Sequence, residues 1–269
     1  MNSLIAINGL IGSGKDTVGR IIQYHTGKKQ WNVTLEQFLE NYWLSNGYNI
    51  TYEIKKFAGK IKQIASIILN VPVSEFEKES FKNSVLPSEW DVYVFYNQQG
   101  NGYGSRAEIF ANEHDLLLKY PDFGADTELY RKQITVRQFL QWLGTEAGRN
   151  SIHPNIWVNS LFVDYKYSYE NNPWYDNKSV YEVSEEDELA NPPMPPRWII
   201  TDLRFRNEYN TIKSRNGVCL KVIRGESTSS HISELDLNGV RFDWTIHNNG
   251  TIKDLEKKVL EFMEQFKIR

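Results

Sequence analysis

Gly9-Leu10-Ile11-Gly12-Ser13-Gly14-Lys15-Asp16-Thr17 is the stretch whose reading decides the fold. It follows the apolar run Leu4-Ile5-Ala6-Ile7 and precedes Val18-Gly19-Arg20-Ile21-Ile22, which has the pattern of a helix start. Strand, glycine-rich loop and helix in that order make a phosphate-binding loop. The glycines let the chain turn tightly, so that consecutive N–H groups point inward at phosphate oxygens. The helix start adds partial positive charge, and Lys15 can reach the β- and γ-phosphates. An ordinary strand-to-helix turn would leave Lys15 unexplained.

One position departs from the general pattern. Asp16 stands where Ser or Thr commonly meets Mg²⁺, and the hydroxyl follows one place later at Thr17. This form resembles the GKGT and GKDT loops of nucleoside monophosphate kinases and other small-molecule kinases, whereas GTPases and motor ATPases usually carry GK[ST]. The resemblance implies phosphoryl transfer to a small acceptor rather than switch-type hydrolysis.

Bulk properties agree with a soluble enzyme. The 269 residues suffice for one large domain with insertions. A net charge of −3 gives no electrostatic case for DNA or RNA as a partner. Cys219, the single cysteine, lies in Val218-Cys219-Leu220-Lys221-Val222-Ile223 and reads as a buried strand residue; a lone thiol excludes an internal disulfide framework. No segment holds about 18 uninterrupted apolar residues, and no basic region precedes a cleavable apolar stretch. The expectation is a cytoplasmic protein without membrane contact.

Short, apolar, β-rich runs at Leu4 to Asn8, Trp198 to Asp202, Val218 to Ile223 and Trp244 to His247 fit strands of a covered parallel sheet. Helical patterns separate them over Thr17 to Tyr24, Glu208 to Ser214 and Thr251 to Phe266. The last opens on an Asn249-Gly250 turn, with Thr251 as N-cap and Asp254 three residues on. Such alternation predicts an α/β fold, a doubly wound, mostly parallel sheet flanked by helices, with ligands beyond the carboxyl ends of the strands.

The chain is read as a single domain, residues 1–269, with insertions around 31–53, 84–130 and 170–197. The first holds Trp31, Phe38, Tyr42, Trp43 and Tyr48 and predicts an ordered helical insertion. Residues 91–126, rich in Tyr, Asn and Gly, suggest a hairpin or lid. The third carries Glu185-Glu186-Asp187-Glu188 and the proline pairs after it, and predicts an exposed, partly flexible loop with a solvated acidic face.

Between Ile134 and Arg149 two stripes run at helical spacing. Val136, Phe139, Leu140, Leu143 and Ala147 form a core face. Arg137, Gln141, Gly144, Thr145 and Gly148 form a second, polar and small. A glycine inside a helix costs about 1 kcal/mol against alanine, so two suggest close approach by a ligand or another backbone. Arg137 can meet a phosphate with its planar fork; tight helix packing beside a surface arginine is the other reading. Further on, Trp198-Ile199-Ile200-Thr201-Asp202 is an apolar strand ending in a carboxylate that can hold Mg²⁺ through water. Arg204 and Arg206 follow, placed either to clamp phosphates or to pair with Asp202 and Glu208 on the surface.

Taken together, Gly9 to Thr17, Phe57-Ala58-Gly59-Lys60-Ile61-Lys62, Leu140-Gln141-Trp142-Leu143-Gly144-Thr145-Glu146 with Trp157, Ile200-Thr201-Asp202-Leu203-Arg204 with Glu208, and His231-Ile232-Ser233-Glu234 resemble the deoxynucleoside monophosphate kinases of tailed bacteriophages. That resemblance covers the chain from end to end. It implies a P-loop kinase that moves the γ-phosphoryl group of ATP onto deoxynucleoside monophosphates with Mg²⁺, in the host cytoplasm, with a homodimer as one assembly. Gly12, Ser13, Gly14, Lys15, Asp16, Thr17 and Val18 would hold ATP. Ile11, Lys62, Arg137, Gly144, Thr145, Trp157, Asp202, Arg204 and Glu208 would serve the acceptor, with Lys15, Arg137, Arg204 and Asp202 at the reaction centre and Thr17 and Asp202 toward Mg²⁺. The family often has a basic residue where Ile11 and Gly12 stand, so one phosphate contact is expected from elsewhere. Rival readings are a kinase of another small acceptor, such as phosphomevalonate, gluconate or shikimate, and a module that senses ATP without transferring phosphate.

Overall fold

Every residue of Leu4-Ile5-Ala6-Ile7 is buried, and the side chains alternate between two hydrophobic clusters. Ile5 and Ile7 pack with Val18, Ile21, Ile22, Val259 and Phe262. Leu4 and Ala6 pack with Val158, Leu161, Ile200 and Ile212. A strand apolar on both sides needs cover on both, which is the condition of a central strand in a parallel sheet.

The computed structural model describes residues 2–27, 33–41, 51–97, 106–110, 113–119, 129–175, 184–225 and 236–269. In chain order its strands are β1 (Leu4–Asn8), β2 (Glu53–Lys55), β3 (Val92–Asn97), β4 (Arg106–Phe110), β5 (Leu129–Lys132), β6 (Trp198–Ile200), β7 (Val218–Ile223) and β8 (Trp244–His247). The α-helices are α1 (Lys15–Thr26), α2 (Leu35–Glu40), α3 (Phe57–Leu69), α4 (Glu79–Asn83), α5 (Glu113–Lys119), α6 (Val136–Trp142), α7 (Ile156–Phe162), α8 (Glu185–Ala190), α9 (Arg206–Ser214) and α10 (Ile252–Gln265). These residues fall into two compact units, one of Met1–Lys60 with Asn155–Arg269, the other of Ile61–Pro154.

In the first unit a parallel sheet runs in the order β2-β6-β1-β7-β8. The chain starts in the middle strand and winds outward to both edges, the doubly wound α/β arrangement of a P-loop kinase fold. Helices α1 and α10 cover one face; α7 and α9 cover the other. Strands β1, β7 and β8 have the ends that the sequence predicts. The strand from Trp198 stops at Ile200 instead of Asp202, because Asp202 turns away to meet the amides that start α3. Helix α1 begins at Lys15, two residues before Thr17. At α10 the Asp254 N–H donates to Thr251 Oγ1 at 3.2 Å, and the Thr251 N–H donates to Asp254 Oδ2 at 2.8 Å, the reciprocal cap that the sequence implies.

In the second unit β4, β3 and β5 form an antiparallel sheet in that order. Ala65, Phe76, Leu86, Ile134 and Val136 make its core. The helix expected through Ile134 to Arg149 is a correction. It is α-helical only to Trp142 and becomes a π-helix over Leu143–Ile152. Each wider turn shifts the register, so Ala147, placed in the core by the regular spacing, is exposed, while Gly144 and Gly148 are buried. The acidic run at 185–188 is a second correction: it lies in a short helix, α8, whose N-terminus is capped by Ser184, whose Oγ accepts the Asp187 N–H at 3.2 Å.

In the 31–53 segment α2 is ordered, with Phe38 buried. Trp31, Tyr42, Trp43, Tyr48 and the motif His231-Ile232-Ser233-Glu234 lie outside the described residues. Cys219 is fully buried in β7, and that burial, with Asp243 nearby, pushes its thiol up to about 12. Among the described residues no helix is long and apolar enough to cross a membrane.

Candidate active site

Past Asn8 the chain turns through Gly9–Gly14 into α1. Gly12 and Gly14 lie at φ +80° and +92°, the left-handed region that glycine enters without strain. The bonds that hold the loop include Ser13 N–H to Leu10 O at 3.1 Å, Val18 N–H to Gly14 O at 2.9 Å, and the Asn248 side-chain amide to Ser13 O at 2.8 Å. Gly14 stands at the N-cap of α1, where no side chain caps the helix. Helices α2, α6, α8 and α10 each have a side chain accepting the N–H three residues on. The first-turn N–H groups of α1 are thereby uncapped by any side chain, an arrangement that can receive an anion. Ser13 Oγ is buried with no hydrogen-bond partner, a second group in the loop that lacks a bond. Val18 packs into the core, and its N–H is already taken by Gly14. Ile11 is 77 % exposed at the loop's tip.

Around this loop the carboxyl ends of several strands converge, as ligand sites do in open α/β sheets. Lys15 Nζ donates to Leu10 O at 3.3 Å. Burial depresses its ammonium below the ordinary lysine value, with Arg204 and Lys56 adding to the effect and Asp16 and Asp202 opposing it. Asp16 Oδ1 accepts the Thr201 hydroxyl at 2.7 Å and lies 2.9 Å from Lys56 Nζ. Burial works against the charge of Asp16, but Lys56, Thr201 and Lys15 outweigh it and hold the carboxyl below the usual carboxylate range. Three cations and two carboxylates thus share one neighbourhood, an arrangement suited to a polyanion.

Asp202 has a part that its place at a strand end does not reveal. Its Oδ1 accepts the Phe57 N–H and its Oδ2 the Ala58 N–H, both at 2.9 Å, so it caps α3 from the segment after β6. Burial pushes its carboxyl up, while those two amides, Arg204 and Lys56 pull it down. Glu208 is 1 % exposed, and its Oε2 accepts the Arg204 and Phe205 N–H groups at 2.8 and 3.0 Å, fixing the turn into α9. The Arg204 guanidinium makes no hydrogen bond or ion pair with the described residues, which leaves it available for a ligand. Asn8 Nδ2 donates to Leu203 O at 2.8 Å and ties this segment to the end of β1. Trp157, in α7, is 2 % exposed.

Lys62, Arg137, Gly144 and Thr145 belong to the second unit. Arg137 is engaged there: its Nε donates to Asn83 Oδ1 at 3.2 Å, and its fork pairs with Glu79. Lys62 Nζ pairs with Glu77 at 2.5 Å. A β-carbon on Gly144 would lie 3.0 Å from Ile61 Cδ1, so close helix packing accounts for that glycine, while Thr145 is exposed.

Sequence reasoning missed Lys56, Thr201 and Asn248. Lys56 follows β2, a strand of three residues and too short to read; had it been recognised, the rule of carboxyl ends would have singled out the lysine. Asn248 follows β8 directly, and the same rule reaches it.

A family model described as deoxynucleotide monophosphate kinase matches residues 94–259. That span includes Arg137, Gly144, Thr145, Trp157, Asp202, Arg204 and Glu208 and starts well after the phosphate-binding loop. The chain is also similar to the deoxynucleoside-5'-monophosphate kinase of Escherichia phage T5, 25 % identical over 232 residues, covering 80 % of this chain and 74 % of that one. With more than half of its length matched, the chain belongs to the deoxynucleotide monophosphate kinase family.

Proposed function

We propose that the protein phosphorylates deoxynucleoside monophosphates with ATP as donor, the loop Gly12–Thr17 holding the donor phosphates. The single observation that carries the donor assignment is the loop itself: two glycines at positive φ, an uncapped helix start and Lys15 beside it. Family membership carries the acceptor. Arg204 supplies charge to the group in transfer, and Lys15 holds the donor's outer phosphates. Arg137, Gly144 and Thr145 serve the acceptor monophosphate, Arg137 by exchanging Glu79 for the phosphate.

The residues fit a Mg²⁺ carried mainly by the nucleotide. Among the described residues no cluster of three His, Cys, Asp or Glu side chains can hold a metal by itself. Thr17 offers a hydroxyl in the first turn of α1, and Asp202 keeps a lone pair on each oxygen after accepting its amides, suited to a bridging water. Held by these residues, Mg²⁺ would supply charge neutralisation to the donor phosphates. An oxygen of the acceptor phosphate forms the new bond to the γ-phosphorus as the bond to the β,γ-bridging oxygen breaks, and ADP leaves with the electron pair. That oxygen is already a competent nucleophile, so the protein's work is positioning and charge, and no side chain need take a proton.

The test is ADP release with ATP, Mg²⁺ and, in turn, dGMP, dTMP, dCMP, dAMP and GMP. Turnover with one or more deoxynucleotides and little with GMP is expected. ATP binding with no turnover on any of them would overturn the reading.

A further inference from the structure

Lys56 is the residue between β2 and α3, and its ammonium reaches across to α1, 2.9 Å from Asp16 Oδ1. The same oxygen accepts the Thr201 hydroxyl at 2.7 Å. Two donors from the ends of two neighbouring strands, β2 and β6, therefore converge on one oxygen of one carboxylate. Oδ2 accepts no hydrogen bond from the described residues, and the Asp16 side chain is 55 % exposed. Asp16 is the second residue of α1, between Lys15 and Thr17, where the helix has no side-chain cap.

Two physical consequences meet at this point. A short acidic side chain with a free χ1 and χ2 has to be ordered when a ligand arrives, and tethering it beforehand removes that cost. A carboxylate beside a phosphate site also repels the phosphates unless its charge is balanced locally. The Lys56 contact answers both. It also brings a positive charge to the loop from outside it, where Ile11 and Gly12 bring none.

We propose that Lys56 is a positioning residue of the phosphoryl-transfer site: with Thr201 it pins Asp16, turns Oδ2 toward the metal–nucleotide and balances the carboxylate's charge against the phosphates. The inference rests on the nucleotide reading of the loop given above.

The experiment measures ADP affinity calorimetrically, with and without Mg²⁺, together with kcat and KM, for wild type, Lys56→Met, Lys56→Arg, Asp16→Asn and the double variant Lys56→Met/Asp16→Asn. Lys56→Met is expected to lower kcat by about 10- to 100-fold, the scale of loss when a partner that orients a site residue is removed, and to weaken ADP binding more with Mg²⁺ than without. Lys56→Arg restores most of both losses. In the Asp16→Asn background, Lys56→Met changes neither quantity further, because no charge is left to hold. Losses that add in the double variant would show that Lys56 acts on a phosphate directly and would overturn the positioning role, as would a Lys56→Met protein equal to wild type. Should Lys56→Met not fold, Thr201→Val replaces it in the same cycle with the same two outcomes. A wild-type chain that binds no ADP would overturn the nucleotide reading, and this inference with it.

Discussion

Gly12 and Gly14 both sit at positive φ, +80° and +92°, yet the space around them differs. A β-carbon on Gly12 meets nothing within 4 Å, whereas one on Gly14 collides with the side-chain amide of Asn248. Gly12→Ala therefore carries only backbone strain, about 1–2 kcal/mol for a residue forced into the left-handed region. Gly14→Ala carries that strain and a steric clash with the group that braces Ser13 O. Urea unfolding should rank Gly14→Ala below Gly12→Ala, and adding Asn248→Ala should bring Gly14→Ala closer to it. Equal losses for the two single variants would mean that Asn248 yields freely and does not brace the loop. Sequence alone cannot separate these glycines, because the neighbour that distinguishes them lies more than 230 positions away along the chain.

At the scale of elements, Asp202 and Arg204 make a pair of opposite expectations. Asp202 caps α3 through two amides, so Asp202→Ala should cost about 1–2 kcal/mol of stability besides any activity. The Arg204 guanidinium makes no hydrogen bond or ion pair with the described residues, so Arg204→Ala should stay within about 0.5 kcal/mol of wild type in stability while lowering kcat far more. Thermal melts beside steady-state kinetics check both. An Arg204→Ala protein that melts early would restore the surface-pair reading. What could be read in advance follows the same division. Strands β1, β7 and β8 and helix α10 were legible because their burial patterns and caps are local. Strand β2 was not, since three residues carry no period. The π-helical turn was not either, for the run Leu143-Gly144-Thr145-Glu146-Ala147 fits the spacing of an α-helix as well as that of a π-helix. The strand–loop–helix setting of Gly9 to Thr17 was legible, but the capping duties of Asp202 and Glu208 depend on amides that no spacing rule connects to them.

For the whole molecule, the two units divide the proposed roles: the phosphate-binding loop, Lys56, Asp202 and Arg204 lie in one, and Lys62, Arg137, Gly144 and Thr145 in the other. Hydrogen exchange followed by mass spectrometry can assign each ligand to its unit. ADP alone should slow exchange across residues 9–18, and a deoxynucleoside monophosphate alone should slow it across residues 135–149. Protection of both stretches by ADP alone would contradict the division. The uncapped start of α1 and the unpartnered Ser13 Oγ also bear on how the protein survives in a cell. On the proposed reading, a nucleotide at the loop makes the bonds that these groups lack and binds only the native form. By mass action a ligand at 100 times its dissociation constant adds about 2.7 kcal/mol to the free energy of unfolding. The energy charge of its surroundings then becomes a determinant of the enzyme's lifetime: where nucleotide is plentiful the folded population is buffered against heat and proteolysis, and where it is exhausted the catalyst is lost along with its fuel.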